Sequence, residues 1–253
     1  MELIEKEILE RFEPISLEEM EKVKLMNRID TKYVTNVEGI RRLLQEASND
    51  YFLQIIEGES LMPYYTLYYD TPDCDMYYQH QRGKKTRQKV RTRLYEGTME
   101  TPFLEIKKKN NKGRTKKKRV LMEEGEHLPV YEEFLSEHCV YPGDILLPRI
   151  SNHFYRITLV SKSMTERITI DLGLEFRNLS TGNETALPNI GIIELKRDGN
   201  AVESRMQRIL RSLHIHESGF SKYCIGMAIT NPALKQNRIK NRLRMIGKIS
   251  KTL

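Results

Sequence analysis

The segment QKVRTRLY, residues 88–95, sets Lys89, Arg91 and Arg93 on alternate positions, with Val90, Thr92 and Leu94 between them. A period of two is the pattern of a β-strand, whose successive side chains point to opposite faces. One face of this strand is therefore wholly cationic. The same parity recurs along the chain. NRIDTKY puts Arg28, Asp30 and Lys32 on one face, and FLEIK sets Glu105 and Lys107 against Leu104 and Ile106. KKKRVLM brings Lys117 and Arg119 together, and HFYRI offers Arg156. ERITIDL sets Arg167, Thr169 and Asp171 against Ile168, Ile170 and Leu172, and GIIELKR sets Glu194 and Lys196 against Ile193 and Leu195.

Cations gathered on one face have a definite chemistry. Unpaired ions cost several kcal/mol each to bury, so such a face needs water and a ligand of matching negative charge. Arginine meets phosphate oxygens as a bidentate fork and lysine as a point charge. The carboxylates on the same face, Asp30, Glu105 and Glu194, are poor phosphate ligands. They suit Mg²⁺ or Mn²⁺, hard ions that bridge carboxylate and phosphate oxygens.

The elements that must position these residues read as eight strands: NRIDTKYVT, PYYTLYYD, QKVRTRLYE, TPFLEIKKK, KKKRVLM, NHFYRITLVS, ERITIDLGLEF and IGIIELKRD. Several are hairpin neighbours, so the sheet is expected to be antiparallel and to curl into a barrel. The branched apolar residues then pack beneath flanking helices and the cationic faces line the lumen. SLEEMEKVKLM carries a capping box in Ser16 and Glu19, and NVEGIRRLLQEAS repeats apolar residues at Val37, Ile40, Leu43 and Leu44. TPDCDMYYQHQRG places Pro72 in a first helical turn and Gly83 at the end. VESRMQRILRSLH, the segment from Lys222, and a basic tail over about 233–253 also read as helices. No repeat, linker or shift in composition marks a boundary, so residues 1–253 are expected to form a single α+β domain.

The chain of 253 residues carries a net charge of +7, and 16 of its 42 basic residues fall between Arg82 and Arg119 against Glu96, Glu100 and Glu105. That concentration points to a polyanionic partner. Cys74, Cys139 and Cys224 are scattered and odd in number, which excludes a disulfide framework and a CxxC zinc site. The start, MELIEKEILERFEPIS, is too charged for a signal peptide, and no apolar run is long enough to span a bilayer. A cytoplasmic location is expected, with any membrane association through a partner. No helix-turn-helix or aromatic RNA-reading motif is present, so no specific nucleic acid is expected.

In their order along the chain, RIDTKY, LYYDTP, KVRTRLY, LEIKKK, KKKRV, FYRITLV with ERITID, IIELK and SKYCIGM resemble the motifs of the VTC domain family. This family is the polyphosphate polymerase branch of the triphosphate tunnel metalloenzymes, related to the CYTH superfamily. The resemblance runs from about Arg28 to Met227. It implies an eight-stranded antiparallel barrel with flanking helices, whose basic tunnel holds a triphosphate or polyphosphate chain. Lys32, Arg91, Arg93, Lys107, Arg156, Arg167 and Lys196 match positions taken as catalytic. Arg28, Lys89, Lys117, Arg119 and Lys222 are assigned to substrate binding, Lys222 from the resemblance alone. Glu194 matches the metal-binding glutamate, with Asp30 and Glu105 as further candidates for Mn²⁺ or Mg²⁺.

Tunnel hydrolases of the CYTH type open on a Glu-x-Glu-x-Lys strand, whereas this chain has Arg28-x-Asp30-x-Lys32. The substitution favours transfer of the ATP γ-phosphoryl group to a growing polyphosphate chain. Two alternatives stand beside that reading: hydrolysis of tripolyphosphate or nucleoside triphosphate, and polyanion binding without turnover.

Overall fold

The computed structural model describes residues 3–21, 28–96, 101–112, 114–123, 127–199 and 204–251. The order opens with α1 (Lys6–Leu9), β1 (Glu13–Ile15), α2 (Leu17–Glu21), β2 (Arg28–Asn36), α3 (Val37–Ala47) and β3 (Tyr51–Gln54). Then come β4 (Met62–Asp70), α4 (Asp75–Gln81), β5 (Arg87–Tyr95), β6 (Phe103–Lys109) and β7 (Thr115–Leu121). After α5 (Glu132–His138), the two longest strands, β8 (Leu147–Ser161) and β9 (Glu166–Asn178), form a hairpin. The order closes with β10 (Glu184–Leu187), β11 (Ile190–Asp198), α6 (Arg205–Ser212), α7 (Lys222–Thr230) and α8 (Lys240–Lys251).

Eight strands form one continuous path, β2-β11-β9-β8-β4-β5-β6-β7, and every neighbouring pair in it is antiparallel. These are the eight expected from alternation. The path curls into a half-barrel rather than the full barrel expected, and its two ends, β2 and β7, are joined by no ladder among the described residues. Short β1, β3 and β10 extend the sheet off this path, and α1 and α5 were likewise not anticipated.

The convex side is apolar because the alternation puts branched residues there. Ile157, Leu159, Ile168, Ile170, Leu172, Ile193 and Leu195 pack against Ile40, Leu43 and Leu44 of α3 and Met206, Ile209 and Leu210 of α6. Burial of such side chains is worth about 1.5–3 kcal/mol each, which fixes the sheet's facing. On the concave side, α7 enters one end of the curl. Its Gly226 is required there, since a Cβ would lie 2.5 Å from Phe176 and 2.7 Å from Ile150. Asn36, Ser204 and Ser221 cap α3, α6 and α7 by accepting the N–H of Gly39, Gln207 and Cys224.

Two helix starts differ from expectation. The helix expected at Pro72 begins at Asp75, after Cys74 takes a left-handed φ of 57°. Its cap comes from the end of β4, where Asp70 accepts the N–H groups of Met76 and Tyr77 at 2.9 Å each. The tail helix begins at Lys240, because Asn231 folds the preceding segment into a turn by accepting the Ala233 N–H at 3.1 Å.

Candidate functional site

Cross-strand register places the expected residues in rows on the concave face. Directly opposed residues of antiparallel strands share a face, so the rows follow from pairing alone. On one wall Arg91 stands opposite Glu105, which stands opposite Arg119. The next row is Lys89, Lys107 and Lys117. On the other wall Lys32 stands opposite Glu194 and then Thr169, while Asp30 stands opposite Lys196 and then Arg167. Arg156 stands opposite Asp171.

Glu105 is fully buried and its two oxygens are occupied. Arg91 donates from Nε at 2.8 Å and Nη2 at 2.6 Å to one oxygen, and Lys117 donates at 3.1 Å to the other. Burial alone would raise its pKa, but Arg91, Arg93 and Lys117 together hold it well below the usual carboxylate range. A metal ligand needs an oxygen open to the lumen, and both Glu105 oxygens are engaged by Arg91 and Lys117, an arrangement that suits a strut fixing Arg91 better than a metal ligand.

Arg93 has no such counterpart. It is 8% exposed, it makes no ion pair among the described residues, and its Nε has no hydrogen-bond partner. Burial, then Arg91 and Arg156, lower its pKa, against a smaller opposing pull from Glu105. The Lys89–Lys107–Lys117 row is a line of like charges in which Lys117 is paired with Glu105, and such a line is destabilising without an anion beside its other members. Lys89 donates to Ser221 Oγ at 2.8 Å, and burial with nearby Lys32 and Arg91 brings its pKa down to about 8. Arg91 and burial lower Lys107 well below the ordinary lysine value, and Glu194 opposes that shift. Lys107 and Glu194 lie on strands at opposite walls, so the curl brings β6 to face β11.

Glu194 is held more loosely than Glu105. Its oxygens lie 3.6 Å from Lys32 Nζ and 3.3 Å from Lys196 Nζ, and its side chain is 22% exposed. Burial raises its pKa, but Lys32, Lys196, Lys107 and Arg156 outweigh that and keep it well below the usual range. Asp30 is exposed on the adjacent strand. A half-exposed carboxylate amid cations fits Mg²⁺ or Mn²⁺, which take one or two carboxylates and complete their shell with substrate phosphates and water. Among the described residues no three His, Cys, Asp or Glu side chains converge on a point.

Alternation alone places Asp171 on this face without a role. It proves to be a hub: Arg156 donates to it from Nε at 2.6 Å and Nη2 at 2.9 Å, and Lys222 of α7 makes an ion pair with it. Only the tertiary entry of α7 reveals this. Burial and Arg156 push Lys222 down to about 7 against the opposing pull of Asp171. The Lys222 ammonium also lies 4.0 Å from the Phe154 ring centroid, and the Arg156 guanidinium 4.8 Å from that of Tyr64.

The remaining assignments separate by depth. Arg167 is half-buried beside Lys196. Lys117 and Arg119 lie exposed on β7, with Arg119 over the Phe103 ring at 4.6 Å. The backbone of Arg28 pairs with Asp198, and its side chain lies outside the described residues. Cys74, Cys139 and Cys224 are free thiols.

Solved structures of similar fold include a candidate adenylate cyclase from Bacillus halodurans, at 16% identity and TM-score 0.45, covering 78% of this chain and 96% of that one. Another is a candidate adenylyl cyclase from Hippeastrum with a dominant triphosphatase activity, at 14% identity and TM-score 0.49, covering 79% and 95%. A third is an inorganic triphosphatase at 10% identity and TM-score 0.33, covering 80% and 95%. No curated protein matches the sequence. No helix among the described residues is long and apolar enough to cross a membrane. The VTC domain model matches residues 27–231, a span that takes in all eight strands of the curl together with α7, and by that match the chain belongs to the VTC domain family.

Proposed function

We propose that the lumen binds triphosphate groups and transfers the γ-phosphoryl group of ATP to the end of a bound polyphosphate chain. The observation that carries phosphate binding is Arg93, a buried guanidinium that makes no ion pair among the described residues and is set between the charges of Arg91 and Arg156, with the nearby Glu105 already gripped by Arg91 and Lys117. A phosphate chain supplies further negative charge to Arg93, Lys89 and Lys107 together.

Transfer of this kind is mainly positioning and charge neutralisation. The terminal oxygen of the bound chain attacks the γ-phosphorus, the bond to the β,γ-bridging oxygen breaks, and ADP leaves with that electron pair. The attacking oxygen is already anionic and needs no general base. Arg156, held by Asp171, and Lys196 neutralise the β- and γ-phosphates. Lys32, Arg91, Arg93, Lys107 and Arg167 align the remaining oxygens. Glu194, with Asp30 nearby, would hold Mg²⁺ or Mn²⁺, which when bound withdraws charge from phosphate oxygens. Transfer to phosphate rather than to water rests on the opening strand, where Arg28 stands in place of an acid. Incubation with ATP and Mn²⁺ should yield ADP together with long-chain polyphosphate on a gel. Orthophosphate released in step with ADP, with no polymer, would assign the lumen to hydrolysis.

A further inference from the structure

Helix α8 lies beyond the span of the family match. From Pro232 to Leu253 the chain holds seven Lys and Arg residues and no Asp or Glu. Yet this segment is docked. Ile239 and Ile246 are buried, Asn189 Nδ2 donates to the Ser250 carbonyl at 3.3 Å, and Ser218 Oγ lies 3.4 Å from Met245 Sδ. Lys240 N–H bonds to the Gln236 carbonyl at 3.0 Å, so helical spacing already holds at Arg238. That spacing sets Arg238, Arg242, Met245 and Ile249 along one flank, and Lys240 and Arg244 away from it.

The flank faces the end of the lumen where α7 enters. Arg238 Nη1 donates to the Arg82 carbonyl, just past α4, at 3.1 Å. Arg242 is exposed and lies over Gly219, where an added Cβ would be 3.3 Å from its Nη2. Gly219 is two residues from Ser221, whose hydroxyl holds Lys89. His80, in the last turn of α4, has its basicity suppressed first by burial and then by Lys89, Arg87, Arg242 and Lys109. Register sets Arg87 opposite Lys109 in the row next to Lys89 and Lys107 on the same face, so the outer end of that wall is cationic as well.

We propose that Arg238 and Arg242 continue the mouth formed by Arg87, Lys89 and Lys109 into an outer track for linear inorganic polyphosphate longer than the lumen holds. This rests on the phosphate-binding reading of the lumen. Continuity with the lumen cations favours the same polyanion. The flank offers no aromatic side chain on which bases could stack. The apolar face of α8 is committed to the protein, so it is not free to enter a lipid surface.

The test uses the full chain, an Arg238→Gln/Arg242→Gln variant, and a Lys240→Gln/Arg244→Gln variant with the same loss of charge. Each is titrated with tripolyphosphate and with long-chain polyphosphate over a range of salt concentrations. Tripolyphosphate affinity should be the same in all three. Long-chain affinity should fall roughly tenfold in the flank variant alone, with a shallower salt dependence. Unchanged long-chain affinity, or an equal fall in both variants, would overturn the track. So would tighter α8-dependent binding to single-stranded DNA or anionic vesicles than to polyphosphate. A parent protein that binds no tripolyphosphate defeats the lumen reading instead, and the long-chain comparison between variants still decides the track.

Discussion

Glu105 and Glu194 sit on facing walls of one lumen, each between two cations, yet they are built differently. Glu105 is dry and gripped by an arginine fork at 2.6–2.8 Å. Glu194 is partly exposed and touched by two lysines at 3.3–3.6 Å. A guanidinium fork and a buried carboxylate make a fixed joint, whereas flexible ammonium groups can exchange one anion for another. Residue type does not separate a strut from a binding group here. Depth and donor geometry do.

The largest effect should follow from breaking the strut. Glu105→Gln leaves the buried Arg91 uncompensated, and its cost should be about 3–5 kcal/mol in urea unfolding, whatever the ligand. A loss below about 1 kcal/mol would place Glu105 with Glu194 as an exchangeable group.

Next comes Arg93, a buried cation with no ion pair of its own to break among the described residues. At a hundredfold excess over Kd, tripolyphosphate should stabilise the parent by about 2.7 kcal/mol. Arg93→Gln should lose most of that shift while the ligand-free protein stays at least as stable, as read by thermal melting. A full ligand shift in this variant would remove Arg93 from the site.

Glu194→Gln should change stability by less than about 1 kcal/mol, because its pairs are long and partly hydrated. Metal-free anion binding should persist or tighten, and Mg²⁺- or Mn²⁺-dependent turnover should disappear. Metal dependence that survives the change would move the ion to Asp30.

A further effect is a pH dependence with opposite signs. Lys222, brought to about 7, and Lys89, brought to about 8, lie below the unfolded lysine value of about 10.4. Between pH 7 and 10 the unfolded chain binds more of their protons, so the ligand-free fold gains stability as pH rises through that window. Tripolyphosphate needs the same groups charged, so its affinity should fall several-fold over the lower part of the window. Calorimetric titration and melting curves that moved together with pH would contradict this assignment.

The eight strands were legible because each has one face against a helix layer and the other against the lumen, which imposes a period of two. Parity assigned Arg91, Glu105, Lys107 and Glu194 to one face, but it carries no information on depth. Glu105 and Glu194 therefore looked alike. Asp171 escaped for another reason: its second partner, Lys222, arrives on α7, and SKYCIGM has no amphipathic stripe to read. Tyr223 through Ala228 are all buried, so that helix has no solvent face to set a period. The tail's charge was plain in the sequence, but its flank toward the mouth depends on where Ile239 and Ile246 dock.

Strand β7 has a consequence outside ligand chemistry. It ladders to β6 alone, and among the described residues its other edge meets no strand. An exposed edge of unpaired N–H and C=O groups is a template on which a second copy can add. Here the edge carries Lys116, Lys117, Lys118 and Arg119, all exposed, so cations project from both of its faces. Two copies approaching edge to edge would meet charge against charge before any intermolecular hydrogen bond formed. The residues that open the curl thus also guard it against growing into a shared sheet, and high salt, by screening them, weakens that guard.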